Sequence, residues 1–153
     1  MLELISPNVR HVGPVGAGHT VKLLNNVLAA GHRMLAFETA AVAAANGVDP
    51  RVFIEAVNIS SGRSYATEVT MPRHVFGDQL VQGFALGLMA KDVRLGESLV
   101  GPGFDELSLT REVWARLASA LERFGPDVDI NRTLEVYEEA ADRTVATSRR
   151  DEA

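Results

Sequence analysis

The chain contains no cysteine, which excludes disulfides and thiolate chemistry and makes a reducing, cytoplasmic setting the simple expectation. Its four histidines, His11, His19, His32 and His74, show no ligand spacing such as HExxH, so no metal site is expected. No apolar run approaches the roughly 20 residues that cross a bilayer, and no basic stretch followed by an apolar segment marks a signal peptide near Met1. Basic charge is also thin. Fifteen Lys and Arg stand against 20 Asp and Glu, and the net charge of −5 argues against nucleic acid or an acidic membrane as partner. Strand pattern is almost absent: only Val9 to Val12 reads as a strand, a stub ahead of Gly13 and Pro14.

What remains is helical. With 153 residues, 46% hydrophobic and 23% charged, the composition fits one globular domain large enough to bury a core. From about Thr20 to Asn46 there is no proline and one interior glycine, Gly31, while apolar residues recur at helical spacing. Gly47 is placed as the residue beyond that helix, and Asp49 with Pro50 reads as an N-cap followed by proline in the first turn. A second helix is expected from Pro50 to about Ile59, ended by Ser60 to Ser64. A short one follows around Tyr65 to Thr70, stopping before Pro72. Further helices are expected over about Ala85 to Leu99, Leu107 to Phe124 and Ile130 to Val145, with a frayed tail from Ser148 to Ala153. The class is all-α.

Chemistry concentrates in Lys22, Asn25 and Asn26. Lys22 and Asn26, four apart, share one helix face, inside a sequence otherwise made of Leu23, Leu24, Val27 and Leu28. A solvated face is the ordinary reading of such residues, yet the narrow polar seam favours a site. A lysine confined in a partly apolar cleft has its pKa lowered toward neutrality, where it exchanges protons. Gly13, Gly16 and Gly18 invite a phosphate-loop reading. Val21 stands where the third small residue of G-x-G-x-x-G belongs, however, and the Walker pattern fails too, since Gly18 lies four residues before Lys22 and Leu23 follows the lysine. Lys91 and Asp92 alone read as an exposed pair of little consequence, Phe84, Leu88 and Met89 as core, and Glu38 as a surface carboxylate.

The segment from His11 through Gly13, Gly16, Gly18 and Lys22 to Asn26 resembles the catalytic segment of the β-hydroxyacid dehydrogenases. Ser61 to Ser64 and Gly83 to Asp92 are similar to further segments of that family in order and approximate spacing. The resemblance runs from about Val9 to Tyr137. It implies the helical C-terminal domain of that family, like that of 6-phosphogluconate dehydrogenase, with one very long first helix. It further implies Lys22 as general acid/base on the substrate oxygen, Asn26 and more weakly Asn25 as substrate ligands, and Lys91 with Phe84 toward the nicotinamide of NAD or NADP. The partners implied are a small hydroxy acid and a second copy of the chain in a homo-oligomer. In such proteins a dinucleotide-binding domain precedes the helical one. Residues 1–12 are therefore expected to be the remnant of its last segment, and residues 13–147 the helical substrate, catalytic and oligomerisation domain. The chain reads as a piece, from a truncated gene, a cloned fragment or a misplaced start, and inactive alone. The alternative is a helical dimerisation module without a catalytic role, using the first helix and the Trp114 to Leu121 stripe.

Overall fold

The computed structural model describes residues 8–104 and 108–148. Among the described residues five α-helices follow in order: α1 (Ala17–Ala45), α2 (Pro50–Asn58), α3 (Leu86–Glu97), α4 (Leu109–Phe124) and α5 (Leu134–Ala141). A wide π-helical segment, Ala66–Val75, lies between α2 and α3, and a 3-10 turn, Ile130–Thr133, leads into α5. The fold is all-α, as the sequence implies. Among the described residues there is no strand, and Val9 to Val12 make none. The β-type pairing that does occur is one bridge, Ala85 with Asp129. Residues 1–7 of the expected remnant, Leu107 at the expected start of the fifth helix, and residues 149–153 of the expected tail lie outside the described residues.

Helix α1 is the spine. It begins three residues earlier than its apolar pattern, because Gly16 at φ 96 turns the chain into it. Its far half packs Phe37, Ala40 and Ala41 against Ile54, Met71, Val75 and Leu134. Its near half packs Val27, Ala30 and Met34 against Leu86, Val93, Leu117 and Ile130. A fully buried aromatic such as Phe37 contributes roughly 2–3 kcal/mol through removal from water. The expected N-cap of α2 is present: the Asp49 carboxylate accepts from the Arg51 amide at 2.7 Å, with Pro50 in the first turn. Trp114, Leu117 and Leu121 face inward on α4 and pack in the second cluster, so that stripe is part of the core rather than a free docking face.

Two further boundaries depart from the sequence expectation for a physical reason. Pro72 lies inside the π-helical segment instead of ending it. In that wider winding a residue bonds to the fifth carbonyl before it, as Phe76 does to Met71, so Pro72 leaves the Thr67 carbonyl without its backbone donor. The Asn58 carboxamide supplies the missing donor at 3.0 Å. The last helix ends at Ala141, because Asp142 adopts φ 50. The apolar pattern nevertheless runs on: Val145 and Ala146 are fully buried, and the Glu138 carboxylate accepts both of their amides at 2.7 and 2.8 Å.

Candidate functional site

Helix geometry puts Lys22, Asn26 and Arg33 on one face of α1, at steps of four and seven. Helix α3 crosses beside them at close range. A β-carbon on Gly96 would lie 2.7 Å from Val27 and 3.3 Å from the Leu23 carbonyl, so glycine is what lets the two backbones approach. One turn before Gly96 comes Asp92. Its Oδ2 accepts from Lys22 Nζ at 2.5 Å and from Asn26 Nδ2 at 2.8 Å, and Lys91 Nζ stands 3.7 Å from Oδ1. The hydrogen bond from Lys22 is the largest influence holding the Asp92 carboxyl below the usual carboxylate range. Burial opposes it, while Asn26 and Lys91 act in the same direction as Lys22.

These groups open into a cleft of about 610 Å3 that all five expected site residues line: Lys22, Asn25, Asn26, Phe84 and Lys91. Phe84, Leu88 and Met89 form an apolar wall. Phe84 is positioned by Asp129, whose Oδ2 accepts from the amides of Gln82, Gly83 and Phe84 at 2.9, 2.7 and 3.2 Å. The Phe84 carbonyl accepts from the Ile130 amide in turn. Along α1 the cleft continues to Arg33, buried at 5% exposure, whose Nη2 donates to Gln82 Oε1 at 2.9 Å. Burial pushes the Arg33 guanidinium down to about 10, with Asp129 and Tyr65 opposing the shift, so it stays charged at neutral pH. Arg33 Nε and Nη1, and Oγ1 of the cleft residue Thr70, are buried without a hydrogen-bond partner among the described residues.

Two expectations change. The Lys22 side chain is 54% exposed, so this cleft does not confine it; its surroundings are an ion pair at an open mouth. Asp92 is no exposed pair member but a buried hub at 7% exposure. Its place was legible, since it lies three residues after Met89 and four before Gly96, both buried on α3. Arg33 was overlooked too, although it continues the face of Lys22 and Asn26. Thr70, Gln82 and Tyr65 carried no signal, because loop and π-helical segments without a simple period bring them to the cleft. Ser61, Gly62, Arg63 and Ser64 line a neighbouring cavity of about 410 Å3, which shares His32 with the main cleft.

The model describing the NAD-binding part of NADP-dependent 3-hydroxyisobutyrate dehydrogenase matches residues 16–137. The chain is 35% identical over 95 residues to 2-(hydroxymethyl)glutarate dehydrogenase of Eubacterium barkeri, covering 62% of this chain and 32% of that protein. It is 34% identical over 103 residues to the NAD-dependent L-serine dehydrogenase of Pseudomonas aeruginosa, covering 63% and 35%. Among solved structures, 3-hydroxyisobutyrate dehydrogenase of Salmonella typhimurium superposes with a TM-score of 0.73 at 26% identity, over 84% of this chain and 45% of that one. The Mycobacterium tuberculosis 3-hydroxyisobutyrate dehydrogenase with L-serine shares the fold, with a TM-score of 0.76 at 22% identity over 88% and 48%. The chain thus spans about a third of the length of these curated relatives and slightly under half of the solved chains.

Proposed function

Because the chain belongs to the 3-hydroxyisobutyrate dehydrogenase family of NAD(P)-dependent hydroxyacid dehydrogenases, we propose that its cleft is the acid/base half of a hydroxy acid dehydrogenase site. The observation that carries this reading is the convergence of Lys22 and Asn26 on one oxygen of Asp92 inside the cleft. Asp92 fixes the amine and the carboxamide so that both meet a small ligand in a set geometry. As the neutral amine Lys22 Nζ takes the proton from the substrate hydroxyl in oxidation, and as the ammonium it gives a proton to the carbonyl oxygen in reduction. Asn26 holds the same oxygen or the neighbouring carboxylate, and Asn25 lies at the rim. The apolar wall of Phe84, Leu88 and Met89 beside the exposed Lys91 fits the flat nicotinamide end of a dinucleotide, with Lys91 as a cation for its polar groups. Bound there, NAD or NADP supplies the hydride acceptor.

The phosphates need a cradle that these 153 residues do not spell, since G-x-G-x-x-G is absent. The chain alone is therefore expected to bind a hydroxy acid and to leave NAD(P) unreduced. Titrating 3-hydroxyisobutyrate into labelled protein should shift the side-chain amide resonances of Asn26, and Lys22→Ala should abolish the shift. Robust reduction of nicotinamide by the chain alone, followed at about 340 nm and lost in Lys22→Ala, would overturn the dependence on a separate cofactor fold. An unperturbed Asn26 amide would overturn the site itself.

A second reading, assembly, rests on α1. Val21, Leu24, Leu28, Leu35 and Val42 are each at least 41% exposed and follow heptad spacing along one seam. A homodimer across this seam is expected, and light scattering that returned a strict monomer at high concentration would refute it.

A further inference from the structure

Arg33 is costly where it stands. A guanidinium buried at 5% exposure normally has a carboxylate against it. The described residues offer it no salt bridge, and its one hydrogen bond is to the neutral Gln82. The nearby carboxylate of Asp129 is committed elsewhere. One oxygen takes the amides of Gln82, Gly83 and Phe84, and the other takes the Asn131 amide. Two of the three guanidinium nitrogens, Nε and Nη1, are left over; each shares an edge of the planar fork with Nη2, whose second hydrogen completes a bidentate grip on an oxyanion. Thr70, 1% exposed, belongs to the lining of the same cleft, and its unpartnered Oγ1 is a further hydroxyl donor there.

We propose that Arg33 and Thr70 form an oxyanion subsite at the far end of the cleft from Lys22, selecting hydroxy acids that carry a second acidic group. The proposal rests on the reading of Lys22 as the hydroxyl end of the site. The two residues are eleven positions apart, about 16 Å along the helix axis. An extended ligand with an acid at each end, reached by two long side chains, spans the gap and leaves its methylenes against Ala29 and Ala66. The second acid is a carboxylate or a phosphoryl-type group, both of which match the guanidinium fork.

The test is calorimetric titration of the chain at fixed ionic strength with glutarate, 4-phosphonobutyrate and valerate, acids of similar length of which only the first two are acidic at both ends. Both diacids are expected to bind about tenfold or more tightly than valerate. The tighter of the two names the acid group, and either order supports the subsite. Arg33→Met should bring the ratio near one while the fold persists, since an apolar residue of similar reach replaces a buried charge. Thr70→Val should lower the ratio by a smaller factor. A ratio near one in the unaltered chain, or one unmoved by Arg33→Met, overturns the proposal. Lys22→Met reports on the underlying reading separately. It should weaken all three acids alike and keep the ratio; no effect on any of them would remove Lys22 from the site while the ratio still decides Arg33.

Discussion

The two ends of the cleft handle charge in opposite ways. At one end Lys22, Asn26 and Lys91 surround Asp92, and the buried carboxylate is met by two direct hydrogen bonds. At the other, Arg33 is buried with one neutral partner and two idle nitrogens. The first end is complete within the protein, which gives it fixed geometry before any ligand arrives. The second is incomplete, so its stability cost is recovered only when something anionic binds. Preorganised groups suit proton transfer, whereas unpaired ones suit recognition.

The largest expected effect comes from the residue that serves both ends. Asp129 holds the loop bearing Gln82, which is Arg33's partner, and Phe84, which walls the Lys22 side. Asp129→Ala leaves three loop amides and that of Asn131 without their acceptor. It is expected to cost about 2–3 kcal/mol in urea unfolding, and to weaken acid binding at both ends together. If binding at one end survives intact, the loop does not couple them.

Next comes Asp92→Ala, which turns the complete end into an incomplete one. Lys22 is half exposed and rehydrates readily, so the loss falls mainly on Asn26 and on desolvated surroundings, about 1–2 kcal/mol. A loss as large as that of Asp129→Ala would mean that Asp92 organises more than its two donors.

This asymmetry also explains what the sequence disclosed. Helical period exposed α1, its capping at Asp49 and Pro50 marked α2, and Lys22 with Asn26 stood out as polar residues in an apolar helix. Asp92 was legible only through its buried neighbours Met89 and Gly96, because an aspartate after a lysine reads as surface by composition. The Pro72 boundary misled, since a π-helical winding and the carboxamide of Asn58, distant in sequence, compensate for the proline. Thr70 and Gln82 reach the cleft by tertiary packing alone, for which no local period exists.

A smaller effect, of opposite sign, is expected at the incomplete end. Arg33→Met removes a buried charge lacking an ionic partner and should raise stability by about 1 kcal/mol, or about 2–4 °C in Tm. The lost hydrogen bond to Gln82 offsets part of the gain. A clear destabilisation would show that Arg33 is held for the fold rather than for a ligand.

The smallest effect is a pH dependence that separates the ends. The Asp92 carboxyl titrates below its unfolded value, mainly through the hydrogen bond from Lys22. Its contribution is therefore fully present above the unfolded pKa of about 3.9, and is lost as the pH falls through the lower folded value. Arg33, lowered to about 10, binds its proton throughout that acid range and adds no slope there. The stability difference between the unaltered chain and Asp92→Asn should accordingly be flat from neutral pH down to about 4 and shrink below it. The same comparison for Arg33→Met should stay flat across the acid range, changing only in strong alkali. There the native state releases the Arg33 proton before the unfolded chain does, so the penalty of burying the charge is relieved and the advantage of Arg33→Met shrinks. Urea midpoints from pH 7 to pH 3 would read both. An acid slope in the Arg33 series would mean that a carboxylate answers Arg33 after all, and that the two ends are less different than their hydrogen bonds imply.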